Sequence, residues 1–335
     1  MTTNQIGRID VHNHAVTPAY LEAIQSIGGI ILTPEWSVDL ALEYLDNYSK
    51  SSAILSISIP GVHLGDDRKA RVLARRINEE FASYISSHPK RFGAFAAIPL
   101  PDVEGACLEA EYALDTLKLD GVGFFASYNG RYPGSPEFDP ILELLNQRSA
   151  VVFIHPTNHP STKMIREGIS SGIGNFLVEF LFDTTRAALN LLFFDVLERF
   201  PNIRFVLSHG GGTLPYVAWR VAHIAARMMT EAPWDTQYPS PFMTRHGQSL
   251  TPEIVLTELR RFWYDTAMSA GRQSLGALKE VAAPERILFG SDWPYCPEVA
   301  TQDMLDARYD SQMFSDSEQA AIDRGNALRL FPRFA

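Results

Sequence analysis

The chain has 335 residues, with 29 Lys and Arg against 39 Asp and Glu and a formal net charge of −10. No block of basic residues stands out, which excludes a general binder of nucleic acid or of anionic membrane surfaces, since both need clustered positive charge; a small anionic ligand held by one or two arginines remains open. Two cysteines, Cys107 and Cys296, with no C-x-x-C pair, supply neither a disulfide framework nor a cysteine-only zinc site, as expected of a reducing compartment.

The polar stretch Met1–Gly7 leads straight into a strand without a basic or apolar signal region. No apolar run reaches the roughly 18 residues that suggest a membrane span, so the expectation is a soluble, cytoplasmic protein.

Eight short apolar or β-branched runs follow, and the spacing predicts strands over Ile9–His12, Ala53–Ser58, Phe92–Ala97, Gly121–Phe125, Val151–His155, Arg204–Ser208, Phe262–Asp265 and Arg286–Gly290. Helical spacing is predicted over Ser37–Lys50, Arg68–Ser87, Val103–Leu117, Phe138–Arg148, Thr185–Phe200, Tyr216–Thr230, Thr251–Arg261 and Gly271–Val281. Most of the strands are apolar without alternation, as in a parallel sheet covered on its outside. Eight βα repeats are the number that closes into a (β/α)8 TIM barrel, with an open doubly wound sheet as the alternative. No linker or internal repeat divides the chain, and residues 1–335 read as one domain.

Two long insertions distort the pattern. Pro156–Thr184, after the fifth strand, carries Phe176, Phe180 and Phe182. Glu231–Leu250, after the sixth, carries Trp234, Tyr238 and Phe242. In a barrel both follow strand C-termini, where loops build sites, so their aromatics are expected to form a lid or subunit contact, or to pack on the outer helices.

The chemistry is carried by strand ends. The first strand ends in IDVHNH, and histidines at i and i+2 on a strand share a face. Alone, such a pair is weak. The fifth strand also ends on His155, the sixth on His209 in SHGGG, and the eighth on Asp292 in GSDWP, so with only nine histidines in the chain four reach one rim. Imidazoles plus a carboxylate suit a divalent ion, Zn²⁺ first and also Mn²⁺ or Fe²⁺, with a position left for water or substrate. His12, His14, His155 and Asp292 are assigned as metal ligands and His209 as an adjacent acid/base. Gly210–Gly212 suggest close approach of backbone to a ligand or helix.

At this point the chain resembles the amidohydrolase superfamily over essentially its whole length. Strand four ends in GFFAS without the lysine that bridges two metals in binuclear members, so the resemblance implies a mononuclear site. IDVHNH, SISIP followed by Gly61, HGGG and FGSDWP look like the branch of nonoxidative decarboxylases that includes the aminocarboxymuconate-semialdehyde, γ-resorcylate and 6-methylsalicylate enzymes. In the first of these an arginine eleven residues past the HGGG histidine reaches the neighbouring subunit's site. Arg220 matches that position, which implies substrate binding and a homodimer. That enzyme's second arginine is missing here, since Glu35–Asn47 contains none. The resemblance therefore points away from a dicarboxylate, and the PEWS and SISIPG stretches are similar to the 6-methylsalicylate group.

The expected reaction is loss of CO₂ from a small hydroxybenzoate, 6-methylsalicylate giving m-cresol, with Asp292 protonating the ring carbon and His209 shuttling the proton or orienting the phenolate. Trp36, Phe124, Phe125, Phe182, Trp293 and Tyr295 flank predicted strand ends or insertions and are candidates to hold the ring. The competing readings are a lactone or amide hydrolase using the same ligands, a decarboxylase of an aminocarboxymuconate-semialdehyde-type substrate, and a non-catalytic binding barrel.

Overall fold

The helices begin where a side chain is placed to cap them. Thr17, Ser37, Asp66, Asp102 and Thr251 each accept a hydrogen bond from a backbone N–H three residues on. The structure, a computed structural model, describes residues 7–28, 33–163, 174–230 and 240–335. The polar N-terminal stretch 1–6, part of the first insertion, and Trp234 and Tyr238 of the second lie outside the described residues.

Eight parallel strands stand in sequence order: β1 (Arg8–His14), β2 (Lys50–Ser56), β3 (Phe92–Ala96), β4 (Gly121–Phe125), β5 (Val151–His155), β6 (Arg204–Leu207), β7 (Trp263–Asp265) and β8 (Ile287–Leu288). The ring closes through irregular bonds, Val11 N to Phe289 O (3.0 Å), Asp292 N to His12 O (2.8 Å) and His14 N to Trp293 O (2.7 Å). This is the expected (β/α)8 barrel. Around it run α1 (Pro18–Ser26), α2 (Val38–Asn47), α3 (Asp67–Ser87), α4 (Val103–Glu111), α5 (Asp139–Gln147), α6 (Glu179–Phe193), α7 (Leu214–Thr230), α8 (Pro252–Leu259), α9 (Arg272–Val281) and α10 (Glu298–Asp310).

The largest departures from expectation have local causes. The helix expected over Thr185–Phe200 begins at Glu179, inside the first insertion, and stops at Phe193. Asp195 takes φ +57° and a separate turn, Val196–Arg199, follows. The second strand begins at Lys50 rather than Ala53, because Ser49 at φ +52° ends the preceding segment and Lys50–Ser52 are polar residues paired to β1. Helices α1 and α10 carry no expectation from the spacing.

Apolar side chains fill both faces of the strands. Ile9, Val11, Ile54, Phe95, Val151, Phe153, Val206, Trp263 and Leu288 form one buried cluster inside the ring, joined by Ala327, Leu330, Phe331 and Phe334 of the C-terminal segment. The larger cluster lies between strands and helices and includes Val122, Phe124, Val152 and Ile154. Of the described residues, no helix is long and apolar enough to cross a membrane.

Candidate metal centre

A slip in pairing makes the site. Between Asp10 and Asn13 the register of β1 against β2 slips by one residue. Val11 thereby joins the barrel interior while the adjacent His12 also turns inward, its ring 4.9 Å from that of Phe153. His14 follows on the same side. Their Nε2 atoms are 3.1 Å apart, and Asp292 Oδ1 lies 3.2 Å from His12 Nε2 and 2.9 Å from His14 Nε2. With His155, one ligand atom from each of the four lies within 4.8 Å of the others, and all four residues are buried.

Each imidazole is held by its other nitrogen. His12 Nδ1 meets Asp265 Oδ2 at 2.8 Å, His14 Nδ1 meets Ser56 Oγ at 3.0 Å, and His155 Nδ1 meets the Pro156 carbonyl at 2.9 Å. A carboxylate, hydroxyl or carbonyl at Nδ1 fixes the ring and leaves Nε2 as the inward lone pair. Asp292 is set by its backbone. It takes φ +62°, costly for a residue with a side chain, and its N–H bonds His12 O. The preceding residue, Ser291, gives its N–H (3.0 Å) and hydroxyl (2.5 Å) to the Asp10 carboxylate. At Gly290 a Cβ would come within 2.8 Å of His12 Cβ, so only glycine lets the two segments approach.

His209 is brought to the same place by another unusual turn. It has φ +54°, and Gly210, Gly211 and Gly212 follow at +64°, +77° and +68°. A Cβ on Gly212 would collide with the Leu181 carbonyl of α6, which is the close approach to a helix that the glycine run suggested. The His209 ring centroid is 4.9 Å from that of His12, and Asp265 Oδ1 accepts the His209 N–H at 3.0 Å.

The electrostatics of the cluster call for a cation. Burial opposes charge on His12, yet Asp265 and Asp292 on either side push its pKa up to about 10. Burial moves His14 and His209 down and His155 well down, so these rings stay neutral. Burial alone would raise the Asp292 carboxyl, but His12 and His14 hold it well below the usual carboxylate range. Its Oδ1 has no hydrogen-bond donor. Three neutral-capable imidazoles, an ionised carboxylate with an unused oxygen and a local demand for positive charge fit one divalent ion.

The expected ring-holding residues are not all brought to this centre. Phe124 is buried in the strand–helix core, and its neighbour Phe125 faces the His155 ring at 6.3 Å. Trp36 packs on Tyr84 in the last turn of α3, against the outer layer. Trp293 stacks on Tyr44 of α2 with centroids 4.5 Å apart, offering its backbone rather than its indole to β1. Phe182 and Arg220 are exposed on α6 and α7. Tyr295 does reach the centre, its ring edge-on to His14 at 5.4 Å. Asp10 and Ser56 stand in the IDVHNH and SISIP stretches without a role that the sequence assigns, whereas Asp265 was visible as the end of β7.

Comparison with known proteins adds four findings. The model of the amidohydrolase family matches residues 9–333. The 6-methylsalicylic acid decarboxylase of Penicillium expansum is 35% identical, the match covering 98% of this chain and 97% of that protein. The corresponding enzyme of Aspergillus aculeatus is 36% identical over 97% and 96%. Among solved structures, 2,6-dihydroxybenzoate decarboxylase from Rhizobium superimposes with a TM-score of 0.77 at 26% identity, covering 97% of this chain and 98% of that one.

Proposed function

The chain belongs to the amidohydrolase family, and from that premise we propose that it is a metal-dependent, nonoxidative decarboxylase of a hydroxybenzoate, converting 6-methylsalicylate to m-cresol and CO₂. The observation that carries this reading is the end-to-end likeness to 6-methylsalicylic acid decarboxylases. His12, His14, His155 and Asp292 would hold a single ion, Zn²⁺ by donor type with Mn²⁺ as the alternative.

Direct loss of CO₂ would leave an electron pair on a ring carbon, so that carbon must be protonated first. When bound, a divalent ion supplies chelation of the carboxylate and its ortho oxygen and withdrawal of electron density from the ring. Asp292, ionised in the resting site, takes the proton of the substrate's ortho hydroxyl and delivers it to the ring carbon that bears the carboxylate, His209 orients the ortho oxygen, and solvent returns a proton to that oxygen once CO₂ has left. The bond to the carboxylate then breaks, its electron pair restores the aromatic ring, and CO₂ leaves. Phe125 and Tyr295, beside His155 and His14, wall the ring.

The reading includes a homodimer. On α7 Tyr216 is 86% exposed and Trp219 67%, and on α6 and the turn before it Phe176 is 55% exposed and Phe182 40%. The two elements are tied where Thr185 Oγ1 accepts the Thr213 N–H at 2.9 Å. Exposed aromatics on this scale mark a contact surface, and Arg220 lies among them. A second copy on this face would present Arg220 to its neighbour.

Purified protein loaded with Zn²⁺ or Mn²⁺ and given 6-methylsalicylate tests the reading. Equal amounts of CO₂ and m-cresol are expected. No product from any salicylate, with turnover of lactones or amides, would make it a hydrolase.

A further inference from the structure

Among the described residues beside the metal cluster, Tyr295 carries a buried polar atom with no hydrogen-bond partner, as Asn13 does at Oδ1 and Ser208 at Oγ, and of these it is the one whose side chain packs its ring directly on a ligand imidazole. It sits in the turn that begins at Asp292, where the Cys296 N–H returns to the Asp292 carbonyl at 2.8 Å. Its ring is packed edge-on against His14 at 5.4 Å and 86°. The hydroxyl oxygen is buried and has no hydrogen-bond partner. A phenol removed from water without a partner opposes folding, and native proteins rarely keep one without a use.

A phenylalanine would pack against His14 equally well and carry no such cost. The hydroxyl is therefore what needs explaining. Burial, reinforced by the Asp292 carboxylate nearby, raises the pKa of the phenol, so it is a neutral O–H donor throughout the neutral range. No lysine or arginine among the described residues forms a hydrogen bond or ion pair with His12, His14, His155 or Asp292. Arg220, the cation expected to meet the substrate, is exposed on α7. A carboxylate arriving at the cluster would bring an acceptor oxygen to a place where this unpaired donor waits.

We propose that Tyr295 is the specificity-determining residue for the substrate carboxylate, its hydroxyl donating a hydrogen bond to a carboxylate oxygen of the bound ligand. The identity of the ligand rests on the decarboxylase reading, but the role of the donor does not require that any bond be broken. A site that holds an oxygen with a buried O–H discriminates against ligands lacking that oxygen, because the donor is then left unpaired.

The test uses the metal-loaded protein, wild type and Tyr295→Phe, with two non-reacting probes. 2,6-Dimethylbenzoate carries the carboxylate without a phenol oxygen, and m-cresol carries the phenol oxygen without a carboxylate. Dissociation constants measured by calorimetry are expected to rise about tenfold for 2,6-dimethylbenzoate in Tyr295→Phe and to stay unchanged for m-cresol. KM for 6-methylsalicylate should rise in parallel, while metal content and melting temperature are not lowered. Equal affinities of both proteins for 2,6-dimethylbenzoate would overturn the proposal, as would a rise confined to m-cresol. A wild type that binds 2,6-dimethylbenzoate but turns over no hydroxybenzoate would overturn only the decarboxylase reading.

Discussion

His12 and Asp265 are joined through Nδ1 and Oδ2 at 2.8 Å, both side chains wholly buried, and the other Asp265 oxygen accepts the backbone N–H of His209 at 3.0 Å. One carboxylate at the end of β7 thus orients an assigned metal ligand from β1 and the turn that carries the acid/base candidate from β6. Replacing Asp265 by Asn keeps the shape but removes the charge that sets the His12 tautomer. Metal affinity is expected to fall about 10- to 100-fold, measured by competition with a chelator. Unchanged affinity would mean that His12 is not a ligand.

Asp292 has two duties in this account, ligand and proton donor. Asp292→Asn should retain part of the metal and lose at least about a thousandfold in kcat, on the scale of a lost proton transfer. Substantial turnover in a metal-loaded Asp292→Asn protein would move the proton delivery to His209.

Chelation should abolish turnover and lower the melting temperature by about 5 °C, since the ion binds only the folded chain. Readdition of Zn²⁺ or Mn²⁺ should restore both. A protein that melts and turns over identically with and without chelator contradicts the assigned ligand set.

If Trp219 lies between two copies, Trp219→Asp should convert a dimer into a monomer in sedimentation without lowering the stability of the chain. Arg220→Ala should leave the dimer intact and raise KM. A wild type that sediments as a monomer at all concentrations would remove Arg220 from the site.

Beneath the Asp10 carboxylate that holds Ser291 lies Lys50, its Nζ 3.6 Å from the Tyr44 ring centroid and 3.9 Å from Asp10. Burial pushes its pKa down to about 7. Between about pH 7 and the ordinary lysine value near 10.4 the unfolded chain binds a proton that the folded chain has shed, so stability rises with pH across that window. The difference in unfolding free energy between wild type and Lys50→Met should therefore move in favour of the wild type from pH 6 to pH 10, by about 1.4 kcal/mol for each pH step of one crossed inside that window. A difference independent of pH would mean that Lys50 stays charged inside the protein.

The barrel was legible because strands buried on both faces read as unbroken apolar runs, and the four converging side chains because each stands at a strand end. The slip on β1 was not legible. It depends on pairing with β2, and nothing in DVHN announces that Val11 and His12 both turn inward. Phe124 and Phe125 show the same limit in miniature: adjacent identical residues point to opposite faces, and only the register of β4 against β5 decides which one meets His155. The exposed face of α7 was hidden for a different reason, since Trp219 and Tyr216 lie on a helix whose apolar residues would ordinarily be counted as core.

The cluster is expected to protonate a ring carbon so that its carboxylate can leave. Turnover of 6-methylsalicylate in D₂O, read by NMR of the product, tests it most directly. The expected result is m-cresol with one non-exchanging deuterium on the carbon between hydroxyl and methyl, formed with one CO₂ per ring. Recovery of the intact acid from metal-loaded protein, or a product that keeps its carboxyl group, would contradict the account.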